Sequence, residues 1–145
     1  MKIFTIGFTR KSAERFFTEL TDAGVKRLVD VRLHNLSQLA GFTKKEDLRY
    51  FTQAICGIEY IHLPELAPTP DILDAYRKRK GAWEAYEKDF LKLLRSRRIE
   101  AKIRPETLAG GCLLCSEEKP NRCHRRLVAE YLQKKWGEVE IEHLP

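Results

Sequence analysis

The chain has 145 residues, 43% apolar and 33% charged, with a formal net charge of +6. That is enough for one domain with its own core, and it excludes a disordered or fibrous protein. No apolar run approaches the roughly 20 residues of a membrane-spanning helix, and the opening Met-Lys-Ile-Phe-Thr-Ile-Gly-Phe is too short, and lacks the cleavage site, for a signal peptide. The expectation is a cytoplasmic protein whose four cysteines are free thiols or metal ligands rather than a disulfide framework.

Lys2–Ile6 reads as a short apolar strand ending at Gly7, with Thr9 and Arg10 in the turn that follows. Ser12 caps a helix whose stripe is Ala13, Phe16, Phe17, Leu20 and Ala23, stopped by Gly24. Arg27–Val31 is a second strand, with Asp30 near its end and Arg32 just past it, so the first thirty residues make a parallel β-α-β unit. After an aperiodic loop over 33–42, Thr43-Lys-Lys-Glu46 has the form of a capping box and predicts a helix from Lys44 to Cys56, with Leu48, Phe51 and Ile55 inward. Ile58–His62 is a third strand. Thr69-Pro70 opens a helical stretch to Leu94 that breaks at Gly81, and Trp83, Tyr86, Phe90 and Leu94 form the buried face of its second half. Arg104-Pro105 disfavours a central strand, while Ile99–Ile103 can add an edge one. Gly111–Cys115 is a fourth strand, followed by a helix from near Pro120 carrying Leu127, Val128, Tyr131 and Leu132 on one face. Glu138–His143 alternates as a fifth strand, at an edge. The fold class is therefore α/β: one domain over residues 1–145, three layers, a mostly parallel sheet of four to five strands and helices on both faces.

In such sheets ligands bind outside the carboxyl ends of the strands. The chain places Gly7, Thr9 and Arg10 there after the first strand, Asp30, Arg32 and His34 after the second, His62 and Glu65 after the third, and Cys115, Ser116, Cys123, His124, Arg125 and Arg126 after the fourth. Three chemistries are open to this set. Cys112-x-x-Cys115 with Cys123-His124 supplies four zinc ligand types, but residues three apart on a strand face opposite ways, and neighbours on a helix diverge by about 100°. A thiol enzyme would use Cys115 or Cys123 with His124, the thiolate favoured by the helix dipole and the adjacent arginines. Its strand-Cys-loop-Arg-helix order resembles the loops of cysteine phosphatases and rhodaneses. Six residues separate Cys115 from Arg122, however, one more than those loops have, and Glu117 and Glu118 would repel an anion. A binding crevice without covalent chemistry would use Arg32 and Arg126 as phosphate forks. Asp30 is then either a catalytic acid or half of a structural ion pair with Arg32, and His62 is a ligand or a hydrogen-bonded core histidine. The basic runs Arg77–Lys80 and Arg95–Arg98 read as solvated helix faces.

The same residues resemble the domain of unknown function 488 family. The likeness lies in Ile6-Gly7-Phe8-Thr9-Arg10, in Leu28–Arg32 with Ser37, in Tyr60-Ile-His-Leu-Pro64, and in Leu113–Glu117 with Pro120 and Cys123-His-Arg125. It implies a compact α/β domain and no settled activity. It carries across Gly7, Thr9, Arg10, Asp30, Arg32, His62, Cys115, Glu117, Cys123, His124 and Arg125. Asn35 stands where members usually have a proline, and Ala67-Pro68 where they have a glycine pair, so the pocket shape is expected to differ.

The expected function is binding of a small anionic or nucleotide-like ligand at the strand-end rim. Catalysis there would run through Cys115, Cys123, His124 and Asp30, with ligand contacts from Gly7, Thr9, Arg10, Arg32, His62, Glu117, Arg125 and Arg126. The alternative from another class is a nucleic-acid-associated binding module with a cysteine cluster that is structural or zinc-bound. No cofactor and no membrane partner is called for, and nothing in the sequence sets the oligomeric state.

Overall fold

A computed structural model describes residues 1–35, 41–117 and 119–145; Ser37 and Glu118 lie outside these. Five strands, β1 (Lys2–Gly7), β2 (Arg27–Asp30), β3 (Glu59–His62), β4 (Gly111–Cys115) and β5 (Glu140–His143), form one sheet in the order β3-β2-β4-β1-β5. Every pairing is parallel. The helices are α1 (Ala13–Asp22), α2 (Lys45–Phe51), α3 (Pro70–Arg77), α4 (Trp83–Arg97), the short turns α5 (Ile99–Lys102) and α6 (Pro105–Leu108), and α7 (His124–Trp136). Among the described residues, no helix is long and apolar enough to cross a membrane.

The sheet is covered on both faces, and strand alternation divides the core in two. Phe4, Ile6, Leu28, Tyr60, Cys112 and Leu114 pack under α1 and α2 with Phe16, Phe17, Leu20 and Leu48. Ile3, Val29, Val31, Leu113 and Cys115 pack on the other face under α4 and α7, with Phe90, Leu94, Leu127, Val128 and Leu132. Because β4 is inserted between β1 and β2, the chain leaves β1 over one face and β4 over the other. The connections that leave those adjacent strands run to opposite faces, and it is at the carboxyl end of such a pair that an open α/β sheet forms its crevice.

Local chemistry sets most boundaries. Ser12 Oγ accepts from Arg15 N at 3.1 Å and Thr69 Oγ1 from Ile72 N at 3.3 Å, so both residues cap as their types dictate. Four expectations are corrected. The helix expected from Lys44 starts with Lys44 as its N-cap rather than from a Thr43 box, because Thr43 is buried and its carbonyl accepts from Arg32 Nη2 at 2.8 Å. Residues 52–56 continue it as a π-turn, whose wider winding turns Ile55 outward to 56% exposure. Ile99 and Ile103 are buried from helical turns, not from an edge strand: Arg98 adopts φ 53, ends α4 and starts α5, and an i, i+4 pair buries one face as readily as an alternating one. The last long helix begins at His124, four residues late, because Cys123 N bonds Pro120 O at 3.2 Å in a separate turn and Cys123 itself is extended, φ −139 and ψ 140.

The tightest backbone approach is at Gly7, paired with Cys115 across β1 and β4. A Cβ there would overlap the Glu117 carbonyl and stand 2.8 Å from Arg125 Nη1. Gly7→Ala is expected to cost about 3 kcal/mol or more, since only backbone could give way; urea unfolding at equilibrium measures it, and an unchanged midpoint would contradict this packing.

Candidate functional site

At the carboxyl edge of the sheet lies a cavity of about 250 Å³. Phe8 after β1, Arg32, Leu33 and His34 after β2, and Cys115, Ser116 and Glu117 from the end of β4 line it, together with His124 at the head of α7 and Leu73 and Arg77 from α3. Three strand ends and two helices thus meet at one mouth.

Its floor is fixed by a buried ion pair. Asp30 is fully buried and Arg32 is 5% exposed. The guanidinium grips the carboxylate with Nε to Oδ1 at 2.9 Å and Nη2 to Oδ2 at 2.8 Å, and Arg32 N adds a third bond to Oδ1 at 3.1 Å. Tyr60 donates its hydroxyl to Asp30 Oδ2 at 2.5 Å. Burial, with the Asp30 charge beside it, pushes the Tyr60 phenol well above its ordinary range, so it stays a donor. His62 donates Nε2–H to the Arg32 carbonyl at 2.9 Å and holds the backbone of that turn. Arg32 lies over the Phe8 ring, 5.4 Å from its centroid. One nitrogen of this guanidinium, Nη1, is buried and has no hydrogen-bond partner among the described residues.

The opposite wall carries the sulfur. Contrary to the expectation of free thiols or metal ligands throughout, Cys115 Sγ and Cys123 Sγ are bonded as a disulfide across the loop, the extended backbone of Cys123 turning it toward the strand end, while Cys56 and Cys112 are free; both bonded residues are 2% exposed. Arg125, fully buried, donates Nη1 to the Glu117 carbonyl at 2.6 Å and to Cys115 Sγ at 3.2 Å, and Nε to Thr5 Oγ1 at 3.3 Å. Desolvation lowers its guanidinium to about 10, which still leaves it charged at neutral pH. His124 makes a 2.6 Å bond from Nε2 to the Val31 carbonyl. A carbonyl only accepts, so Nε2 bears the hydrogen, and the free lone pair of the neutral ring is on Nδ1. Burial lowers His124 to about 4, so the ring is neutral at pH 7.

The residues singled out from sequence divide accordingly. Arg32, Cys115, Glu117 and His124 reach the cavity. Asp30, His62, Gly7 and Arg125 stand behind it and fix those that do. Thr9 ties the β1 loop to that of β4 by donating Oγ1 to the Ser116 carbonyl. Arg10 occupies an exposed left-handed turn, φ 62. Arg126 is held away by Glu130 at 3.0 Å and by the Asn121 carbonyl at 3.2 Å, and is not among the cavity-lining residues. Cys112 faces the α1 and α2 side, opposite Cys115, as the odd spacing requires, and burial raises its thiol pKa far above the ordinary range. The expected divergence of Cys123 and His124 does not occur: Cys123 precedes the helix, so helical spacing does not govern the pair, and Cys115, Cys123 and His124 bring ligand atoms within 4.8 Å of one another. Sequence reasoning missed Arg77, which it placed on a solvated face. It lines the cavity and pairs with Glu117 at 2.8 Å, and nothing in the run Arg77–Lys80 distinguishes it from its neighbours.

The family model described as domain of unknown function DUF488 matches residues 12–132. No curated protein and no solved structure matches the chain.

Since His124 is neutral in the fold and binds a proton more readily when unfolded, it costs stability as pH falls from about 6.5 to about 4, with no further loss from this group below that. Urea midpoints across this range are expected to drop more steeply for the wild type than for His124→Gln; parallel curves would show that the ring is not desolvated.

Proposed function

The chain belongs to the DUF488 family, whose description assigns no activity, so from its own site we propose that the cavity binds a small anionic ligand. The observation that carries this is Arg32 Nη1. A buried N–H donor without an acceptor costs about 1–3 kcal/mol, and an oxyanion in the cavity its side chain lines would supply the acceptor and the opposite charge. Arg77, half-exposed on the far wall, adds a second guanidinium once its exposed partner Glu117 yields. The volume suits a phosphate or carboxylate group with a small body, and leaves the rest of a nucleotide-like ligand at the mouth.

Asp30 acts in this reading as a positioning residue, since its carboxylate is consumed by Arg32 and Tyr60. Cys115 is the sulfur at the cavity wall. In the reduced form it would meet the ligand as a thiolate favoured by the Arg125 N–H, and His124 Nδ1 is the neighbouring base. Those two residues would carry any thiol-dependent step, while Cys123 serves as the partner that closes the disulfide.

Calorimetric titration with inorganic phosphate tests the reading. Arg32→Ala is unsuitable, because leaving Asp30 buried and unpaired costs about 3–5 kcal/mol and would unfold the chain for another reason. Arg32→Lys keeps a positive charge for Asp30 but cannot also present a donor at Nη1, and Arg77→Gln alters a half-exposed side chain. The wild type is expected to bind one equivalent, and each variant at least about tenfold more weakly, a loss of about 1.4 kcal/mol. Equal binding by all three proteins would refute the site. Phosphate-insensitive binding of duplex DNA that weakens steeply with salt would favour the nucleic-acid module instead.

A further inference from the structure

We propose that Cys115, Cys123 and His124, with the two sulfurs reduced, form a three-ligand site for a divalent ion of the zinc and cobalt class, its fourth position open toward the cavity. Their ligand atoms already lie within 4.8 Å of one another. Two thiolates and an imidazole are the donor set such borderline ions select, and three protein ligands with one open position is the pattern of reactive rather than structural zinc. Cys115 and His124 both line the cavity, so an ion between them borders it.

Three further features suit a cation at this place. His124 donates Nε2–H to the Val31 carbonyl at 2.6 Å, the kind of outer contact that orients a metal-binding histidine, so Nδ1 is the nitrogen with a free lone pair to offer. Arg125 Nη1 stands 3.2 Å from Cys115 Sγ and 3.7 Å from Cys123 Sγ, and N–H donors to sulfur stabilise the thiolate form. The charges also balance: two thiolates cancel a dication, so the buried guanidinium faces a neutral centre with electron-rich sulfurs. Cys112, on the opposite face of the sheet, cannot complete a closed four-ligand site.

The disulfide and the metal exclude each other, because each uses the same sulfur lone pairs. With a phosphine as reductant, the S–S bond takes up two electrons, water supplies two hydrogens and its oxygen, and the products are two thiols and a phosphine oxide. Metal binding then releases the two thiol protons. Capture of the ion does not rest on the anion reading above; only the use of the open position by an anion would.

The full chain, reduced by a phosphine and held without oxygen, is titrated with cobalt(II). One equivalent is expected, with a sulfur-to-cobalt charge-transfer band and the visible bands of tetrahedral cobalt, all removed by zinc. Cys115→Ser and Cys123→Ser should each diminish the charge-transfer band, and the two together should abolish it. His124→Gln should weaken uptake by more than the roughly 10–100-fold typical of an outer-contact change. Cys56→Ala and Cys112→Ala should retain the spectrum, and the disulfide form should bind none. Far-ultraviolet circular dichroism verifies that each variant is folded; if one is not, the wild-type stoichiometry and the reduced-against-oxidised contrast decide alone. No stoichiometric uptake by the reduced chain, or a charge-transfer band that survives loss of both cysteines, would overturn the site. Neither result bears on phosphate binding by the Arg32 and Arg77 variants, so the two readings fail separately.

Discussion

The arrangement at the carboxyl edge of the sheet depends on a carboxylate and a guanidinium held out of water together. Removing Asp30 and Arg32 from solvent is costly for each ion, and the pair is tolerable only because the geometry is bidentate and the remaining lone pairs are filled by Arg32 N and the Tyr60 hydroxyl. That need for several simultaneous partners recruits β2, β3 and the segment around Thr43 to one point. Arg32 is consequently held in place, and its Nη1, without a hydrogen-bond partner among the described residues, is presented in a fixed direction.

The same economy operates on the β4 side. Gly7 lets the Glu117 carbonyl approach β1, and that carbonyl receives Arg125, which in turn donates to Cys115 and Thr5. Thr5 Oγ1 is also 2.6 Å from His143 Nδ1, so the interior arginine connects the site to the edge strand β5. A fully buried guanidinium is expensive, and several fixed acceptors around it offset that expense. The result is a disulfide with a buried guanidinium against Cys115, beside a cavity lined by two other guanidinium groups.

Part of the basic excess is answered by surface carboxylates. The formal excess of +6 is spread over helices, but Arg27, Arg77, Arg126 and Lys2 are each engaged by Glu59, Glu117, Glu130 and Glu142. Exposed pairs of this kind contribute little stability. The two buried guanidinium groups are held differently: Arg32 is neutralised by the Asp30 carboxylate, whereas Arg125 is bound by carbonyl, hydroxyl and sulfur acceptors.

The amphipathic stripe of Phe16, Phe17 and Leu20, the caps at Ser12 and Thr69, and the short apolar strands determined the α/β class and nearly every element, because each is a local preference expressed within one turn or one pleat. The opposite facing of Cys112 and Cys115 was equally local, a matter of odd spacing on a strand. Strand order, with β4 between β1 and β2, was decided by tertiary packing, and so were the buried fork between Asp30 and Arg32, the extended backbone that turns Cys123 toward Cys115, and the arrival of Arg77 from α3 at the same mouth. Those features are contacts between residues distant along the chain, and no local periodicity encodes which partner a buried charge will find.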